Sequence, residues 1–537
     1  MYDLLIRDGR VVDGTGNPWF RADIAVKDGS IAAVGRIEDK AERVIDAEGL
    51  YVAPGFIDAH CHADFTVLDP GNPRDFKLRQ GITTECAGQC GESAAPVNPD
   101  TLDLLKAYVA FEAPVDGVLS WGWRTFDDYL RELESFDLPT NFVPMVGHGT
   151  VRIDAMGFEN RPPTEAELAR MKSTVREAME AGAFGLSVGL AYAPGDYAAS
   201  DEVIELAKVS AACGGMFGTH MRDYSDRIFE SLEESFAVGR QAKLPVVISH
   251  IGVHGEANVG KIGAVLDTIE RARGEGLEVT TDVYPLAAGT TLRLLLPHWV
   301  SEGSLEELFR RLRDPDQRSR MKDAMVAETA RIAADTAVSR WDEIRLARVL
   351  SEPNRDFQGL TIAEISRRKG TDPETTVMDL VLEERCQATM YRIFRQTEDL
   401  AAAVVHPLTM IETDAMGFVE GNPSIGQYGS FPRVLGYYVR ETKLLRLEEA
   451  VRKMTSYAAR TMGLARKGVL REGADADITV FDLDNVSAAL DGNQCYPRGI
   501  EYVAVNGQVV VDRGRHEGAM AGRVIRKERA RRPISKR

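Results

Sequence analysis

The residues with the clearest chemical potential are His60 and His62, in the run Gly55-Phe56-Ile57-Asp58-Ala59-His60-Cys61-His62. In an extended strand, residues i and i+2 face the same side, so both imidazoles project together and Cys61 faces away. Two histidines converging at a strand end make half of a metal site. Similar residues recur where other apolar runs stop. Met216-Phe217-Gly218-Thr219 ends in His220, and Pro245-Val246-Val247-Ile248-Ser249 ends in His250. Cys90 lies in Gly88-Gln89-Cys90-Gly91, whose glycines permit a turn that could push a thiolate towards the same mouth. Asp414 ends Met410-Ile411-Glu412-Thr413-Asp414. Taken singly, a buried cysteine is usually a small hydrophobe and an aspartate after a strand is usually a cap. Jointly, imidazole and thiolate donors suit zinc.

The elements that must position these residues alternate. Between about 55 and 465, short apolar strands alternate with helices, which calls for a parallel sheet covered on both faces. The strand signals are Asn141 to Val146, Gly185 to Val188, Met216 to His220, Pro245 to His250 and Glu278 to Tyr284. The helices are Thr164 to Ala181, with a Thr164/Glu167 capping box and Gly182 as stop, then Asp201 to Ala212 capped by Ser200, Asp226 to Gln241 and Lys261 to Arg273. At this number of repeats a (β/α)8 barrel is expected, with chemistry at the C-terminal strand ends. Residues 304–345 are charged and helical, including Leu305 to Arg313 and Arg318 to Ala334, and read as an insertion, either a lid over the site or a helical decoration far from it. Residues 1–53 are short strands with turns at Asp8-Gly9 and Asp28-Gly29, and Asn506-Gly507 marks a hairpin near the other end. Both termini are therefore expected to combine into one β domain, followed by a basic, solvated tail from Arg523 to Arg537.

Composition narrows the partners. The 537 residues carry a formal charge of −17, which argues against nucleic acid, and the apolar runs fall short of the roughly 20 residues of a membrane span. Six scattered cysteines and the lack of a signal-like N-terminus point to a reduced, cytoplasmic setting. Nothing in the sequence indicates an oligomeric state.

The order of motifs resembles the amidohydrolase superfamily and, within it, the D-aminoacylase (N-acyl-D-amino-acid deacylase) family. The matching pieces are Pro54 to His62, Gly81-Ile82-Thr83-Thr84 with Gly88 to Gly91, Val146 to Arg152, Gly185 to Leu190, Thr219 to Arg222, Ile248 to His250, and Tyr428 to Gly436. The resemblance implies a TIM barrel (residues 55–465, with a helical insertion at about 287–350) and a small β-sandwich domain built from both termini, 1–54 and 466–537. It implies zinc held by Cys90, His220 and His250, a weaker second position at His60 and His62 that could share Cys90, and Asp414 as general base. Tyr284 or His148 could hold the carbonyl oxygen of a small amide substrate. The chain departs from the family pattern in three places. Ile251-Gly252-Val253-His254 lacks the family's lysine, Glu412-Thr413-Asp414-Ala415 replaces Gly-Ser-Asp-Gly, and Asn422-Pro423-Ser424 stands where an arginine run is common. By the resemblance, that lysine and arginine grip the substrate carboxylate, which leaves Arg222, Arg293 or Lys261 to supply a cation. The expected activity is zinc-dependent hydrolysis of an N-acyl-D-amino acid or related amide. A cyclic, hydantoin-like amide and a non-catalytic metal-binding relative are the alternatives.

Overall fold

The strand before the histidine pair, Tyr51–Pro54, pairs antiparallel with Ile478–Phe481 from the far end of the chain. This pairing appears in a computed structural model describing residues 1–72, 75–114, 117–255, 258–286, 289–301, 304–333, 340–392, 397–417, 425–488 and 496–528. The Asn422 to Ser424 run, Cys495 and most of the basic tail lie outside the described residues. Nine strands from the two termini share one sheet. Valine and isoleucine side chains such as Val11, Val52 and Ile478 pack at its core. Asp28 and Gly29 both take positive φ (49° and 72°), as do Asn506 and Gly507 (49° and 84°). Those values suit two-residue hairpins with right-handed twist. Asp8-Gly9 is different. It is not a turn: Tyr2–Val11 runs through it as one strand whose register shifts between Ile6 and Gly9. The extra residue, Asp8 at φ 56°, is absorbed as a bulge.

The central chain forms parallel strands. Phe56–Asp58, Ile82–Ala87 and Asn141–Pro144 are neighbours in one sheet. Val146–Gly147, Gly185–Gly189, Met216–His220, Val246–Ile248, Val279–Val283 and Thr409–Ile411 are neighbours in the next. Met145 alone separates Asn141–Pro144 from Val146–Gly147, so the two sheets follow each other along one segment. Helices cover them by apolar spacing. In Glu165–Ala181, the buried residues Met171, Val175, Ala178 and Met179 fall on one face, between the Thr164/Glu167 capping box and Gly182. Ser200 does not cap the next helix, Ser200–Ala212; its hydroxyl donates to Glu234 at 2.7 Å.

The insertion is longer than its charged helices suggested. Gly289–Thr291, Thr389–Arg392 and Ile344–Arg348 make a small antiparallel sheet. Residues as far apart as Leu292, Leu308, Ile365 and Met390 share a separate apolar core. The helix Pro373–Glu383, beyond the expected boundary, packs into it through Val377 and Leu380.

Candidate metal centre and active site

Five of the sequence-derived ligand candidates converge on one another. Cys90 Sγ lies 3.3 Å from His60 Nε2, 3.4 Å from His250 Nε2 and 3.7 Å from His220 Nδ1. Asp414 Oδ1 lies 3.3 Å from His62 Nε2 and 3.7 Å from His60 Nε2. Three compact donor groups result, His60–Cys90–His250, His60–His62–Asp414 and His62–Glu92–Glu112, with His60 in the first two and His62 in the last two. The six sequence-derived candidates stand at or just beyond the C-terminal ends of parallel strands. Three of them hold positive φ although none is glycine: Cys90 at 53°, His250 at 37° and Asp414 at 50°. Such backbone persists where surrounding contacts over-determine it.

The loop around Cys90 shows how. Gly88 and Gly91 have φ of 80° and 79°. A Cβ on Gly88 would sit 2.1 Å from Met145 O, and one on Gly91 2.7 Å from Gly189 N. The loop therefore presses against neighbouring strands with no room for side chains. Tyr192 Oη donates to Cys90 O at 2.6 Å, and Ser187 Oγ accepts Gly91 N–H at 3.0 Å. Asp414 is braced from below. Asp58 accepts Thr413 N–H at 2.9 Å and its hydroxyl at 2.7 Å. Buried Lys77 lies 2.9 Å from Asp58 and also contacts Glu85. Asp282 Oδ1 accepts the His250 backbone N–H, while Oδ2 stands 3.6 Å from His60 Nδ1.

Electrostatics fit a cation. Asp282, Glu412, Glu92, Glu112 and Asp414 crowd the histidines, and among the described residues none pairs with lysine or arginine. Burial alone would push the Cys90 thiol up. The charges of His60 and His250, with hydrogen bonds from His220 and His250, outweigh it and hold the thiol well below its usual value. Burial likewise works to raise Asp414, but the His62 hydrogen bond and the charges of His250 and His60 bring it below the usual carboxyl range. Glu412 is pushed well up by burial and by Asp414, and Asp64 is pushed up to about 7 by burial and by Glu112. Both Glu412 oxygens, His60 Nδ1 and Asp282 Oδ2 are buried without hydrogen-bond partners among the described residues. Sulfur and imidazole donors, uncompensated acids and unsatisfied polar atoms together are what a zinc centre needs.

A cleft of ≈ 330 Å³ opens onto these residues. Tyr284, half-buried, lines it, its ring centroid 6.5 Å from that of His250. Arg222 lines it too, but its guanidinium is already bonded to Glu234 at 3.0 and 3.1 Å and to the carbonyls of Asp196 and Ala198. Arg293 is 9% exposed at the cleft wall. It donates to Ala107 O and Tyr108 O, and has no carboxylate partner among the described residues. His148 does not reach the cleft. It is fully buried at the start of His148–Met156, with Nε2 2.8 Å from Glu202, which Arg152 also binds. The expected carbonyl-holding role is thus replaced by a buried structural contact with Glu202. Lys261 is exposed and bonds Asn258 instead.

Sequence reading missed Asp282, Glu412, Glu92 and Glu112. An acid inside the apolar strand Val279–Val283 was a legible signal for Asp282. Glu112 gave none, because it comes from a loop after Leu102–Tyr108 that folds back beneath the mouth.

Residues 43–511 match the Amidohydrolase family. The chain is 34% identical to a D-aminoacylase of Alcaligenes xylosoxydans xylosoxydans, covering 98% of this chain and 97% of that protein. The chain belongs to the amidohydrolase family, within its D-aminoacylase group. Solved structures agree with this placement. An N-acyl-D-glutamate deacylase from Bordetella bronchiseptica, complexed with zinc and a phosphonate mimic of the tetrahedral intermediate, superposes with TM-score 0.81 at 32% identity, covering 98% of this chain and 99% of that one. A D-aminoacylase whose binuclear metal centre is described by one-metal activation and second-metal attenuation gives TM-score 0.81 at 32% identity, covering 98% and 100%.

Proposed function

We propose that the protein is a zinc-dependent amidohydrolase that removes the acyl group from an N-acyl-D-amino acid or a closely related N-acyl compound. The observation that carries this reading is the approach of Asp414 to within 3.3 Å of His62, beside the Cys90–His250–His220 cluster, at the floor of one cleft. Cys90, His220 and His250 would hold the tighter ion, and His60 and His62 the weaker one. Bound zinc lowers the pKa of water and polarises the amide carbonyl.

The remaining work belongs to the chain. Asp414 is held ionised by His62, His250 and His60, so it can take a proton from the attacking water. The same carboxyl then delivers that proton to the departing nitrogen. Its positive-φ backbone, fixed through Thr413 and Asp58, keeps Oδ1 facing His60 and His62. Tyr284 stands where it could donate to the carbonyl oxygen. Arg293 is the cation we assign to the substrate carboxylate, because Arg222 is already committed to Glu234 and Lys261 lies outside the cleft.

Asp414 N–H donates to His60 O at 3.1 Å, and Ala59 N–H reaches Ile411 O at 3.5 Å. These contacts support a reading in which Thr409–Ile411 closes an eight-stranded barrel onto Phe56–Asp58, beside a terminal β-sandwich domain (1–54 and 466–537). Scattered cysteines, with no disulfide among the described residues, favour a cytoplasmic location. No helix among the described residues is long and apolar enough to cross a membrane.

Metal analysis of purified protein and one assay panel test the proposal. N-acetyl-D-amino acids, their L-isomers, hydantoins and aryl amides should be compared. Zinc with turnover of N-acyl-D-amino acids is expected. Turnover of rings alone would overturn the substrate class, and zinc without turnover of any amide would favour a non-catalytic relative.

A further inference from the structure

The two histidines of the opening motif share an arrangement. Each directs Nε2 towards Asp414, at 3.7 Å for His60 and 3.3 Å for His62. Each also has a buried carboxylate behind its Nδ1. For His60 this is Asp282 Oδ2 at 3.6 Å. For His62 it is Glu112 Oε1 at 2.6 Å, with Glu92 Oε2 at 3.7 Å. The two contacts are not equivalent. A separation of 2.6 Å is hydrogen-bond length. Two ligands of one tetrahedral zinc, each at about 2.0 Å, stand about 3.3 Å apart. Glu112 and His62 Nδ1 are therefore too close to be co-ligands of an ion, and their spacing is that of an acceptor and its donor.

Glu112 has little else to do. It is fully buried and does not line the cleft, so it cannot meet substrate. Neither of its oxygens, nor His62 Nδ1, completes a well-directed hydrogen bond among the described residues, and the 2.6 Å approach of Oε1 to Nδ1 is the shortest ion-pair contact Glu112 makes. A buried carboxylate left this bare is costly unless something nearby rewards its charge. The nearest position for such a charge is the ion that His60, His62 and Asp414 would share, on the other side of the His62 ring.

We infer that Glu112, backed by Glu92, is a positioning residue: it takes the Nδ1–H of His62, commits Nε2 to the mouth, and so sets the affinity of the second metal position. This rests on the zinc reading proposed above. Carboxylate partners of ligating histidines fix the tautomer and ring orientation and raise ligand basicity, and losing one typically weakens metal binding by about 10- to 100-fold. The first position, built on Cys90, His220 and His250, does not touch Glu112 and should be spared.

The test is metal binding to wild-type protein, Glu112→Gln and Glu112→Asp. Each is stripped by chelator, checked by thermal melting, and titrated with zinc by calorimetry and with cobalt by absorbance. The calorimetric stoichiometry separates the tighter ion from the weaker one, and a thiolate-to-cobalt band shows when an ion sits on Cys90. Expected is a second ion bound about 10- to 100-fold more weakly by Glu112→Gln, with the first within threefold of wild type. Should Glu112→Gln not fold, Glu112→Asp carries the test, with the same direction expected from the withdrawn carboxylate. A second-ion affinity within threefold of wild type in a folded variant would overturn the inference. So would a wild-type protein that takes one ion and no more up to millimolar zinc, and that result would leave the one-metal chemistry intact. A wild-type protein that binds no ion at all would sink the functional proposal itself.

Discussion

Replacing Lys77 by Met tests how the floor of the site is held. Lys77 Nζ contacts Asp58 at 2.9 Å and also touches Glu85, and all three side chains are at most 3% exposed. Methionine keeps most of the stem volume, so the change removes charge with little cavity. Two buried carboxylates would then lose their cation. Breaking a buried pair from one side costs about 3–5 kcal/mol, and solvent cannot screen these charges. Burial works to lower the Lys77 pKa, but Asp58, Cys61 and Glu85 outweigh it and raise it well above the usual lysine value. A raised lysine pKa stabilises the fold fully below the unfolded-state pKa and loses that effect only as pH rises through the folded one. The loss in Lys77→Met should therefore be constant between about pH 6 and 9. Urea unfolding followed by tryptophan fluorescence would measure it, and adding Glu85→Gln should restore part of the stability by removing one stranded charge. Activity should fall as well, because Asp58 holds Thr413 next to Asp414, and a misplacement of about 1 Å can cost on the order of 100-fold. A Lys77→Met protein within about 1 kcal/mol of wild type and fully active would refute the argument.

Three further outcomes follow. Asp414→Asn should lower kcat by about 10²- to 10⁴-fold while the tighter zinc stays bound; unchanged kcat would remove it as the base. Cys90→Ser should lose the tighter ion on dialysis, measured by elemental analysis, with retention at full stoichiometry counting against the thiolate as ligand. Arg293→Met should raise KM for a carboxylate-bearing substrate by roughly 10- to 100-fold, the worth of a charge-assisted hydrogen bond, while sparing a neutral N-acyl amide. Equal losses on both substrates would argue for a packing role instead.

The candidate donors that converge were legible in the sequence because each follows an apolar run at a strand end, where residue type and spacing are both visible. His148 had the same signature and misled: its imidazole turns to Glu202 at the head of a helix instead of the mouth. Asp8-Gly9 misled for a related reason, since a turn dipeptide and a bulge share the demand for positive φ. Glu112 was out of reach. Its role depends on a loop folding back under His62, and no local pattern encodes that. The insertion boundary failed in the same way, because Ile365, Val377 and Met390 join its core across long stretches of chain.

The pairing of Tyr51–Pro54 with Ile478–Phe481 also governs when the protein can work. Pro54 leads within a few residues to His60, and Gly55 N–H donates to Asp477 O at 2.8 Å. The segment that carries the first two histidines is thus anchored by chain made much later. During synthesis those histidines emerge early, yet their strand lacks its neighbour until more than four hundred further residues have been added, as the register of Val52 with Val480 shows. Contacts of such sequence separation form slowly. A chain that stops short of Ile478–Phe481 therefore leaves the His60/His62 motif on an unanchored strand.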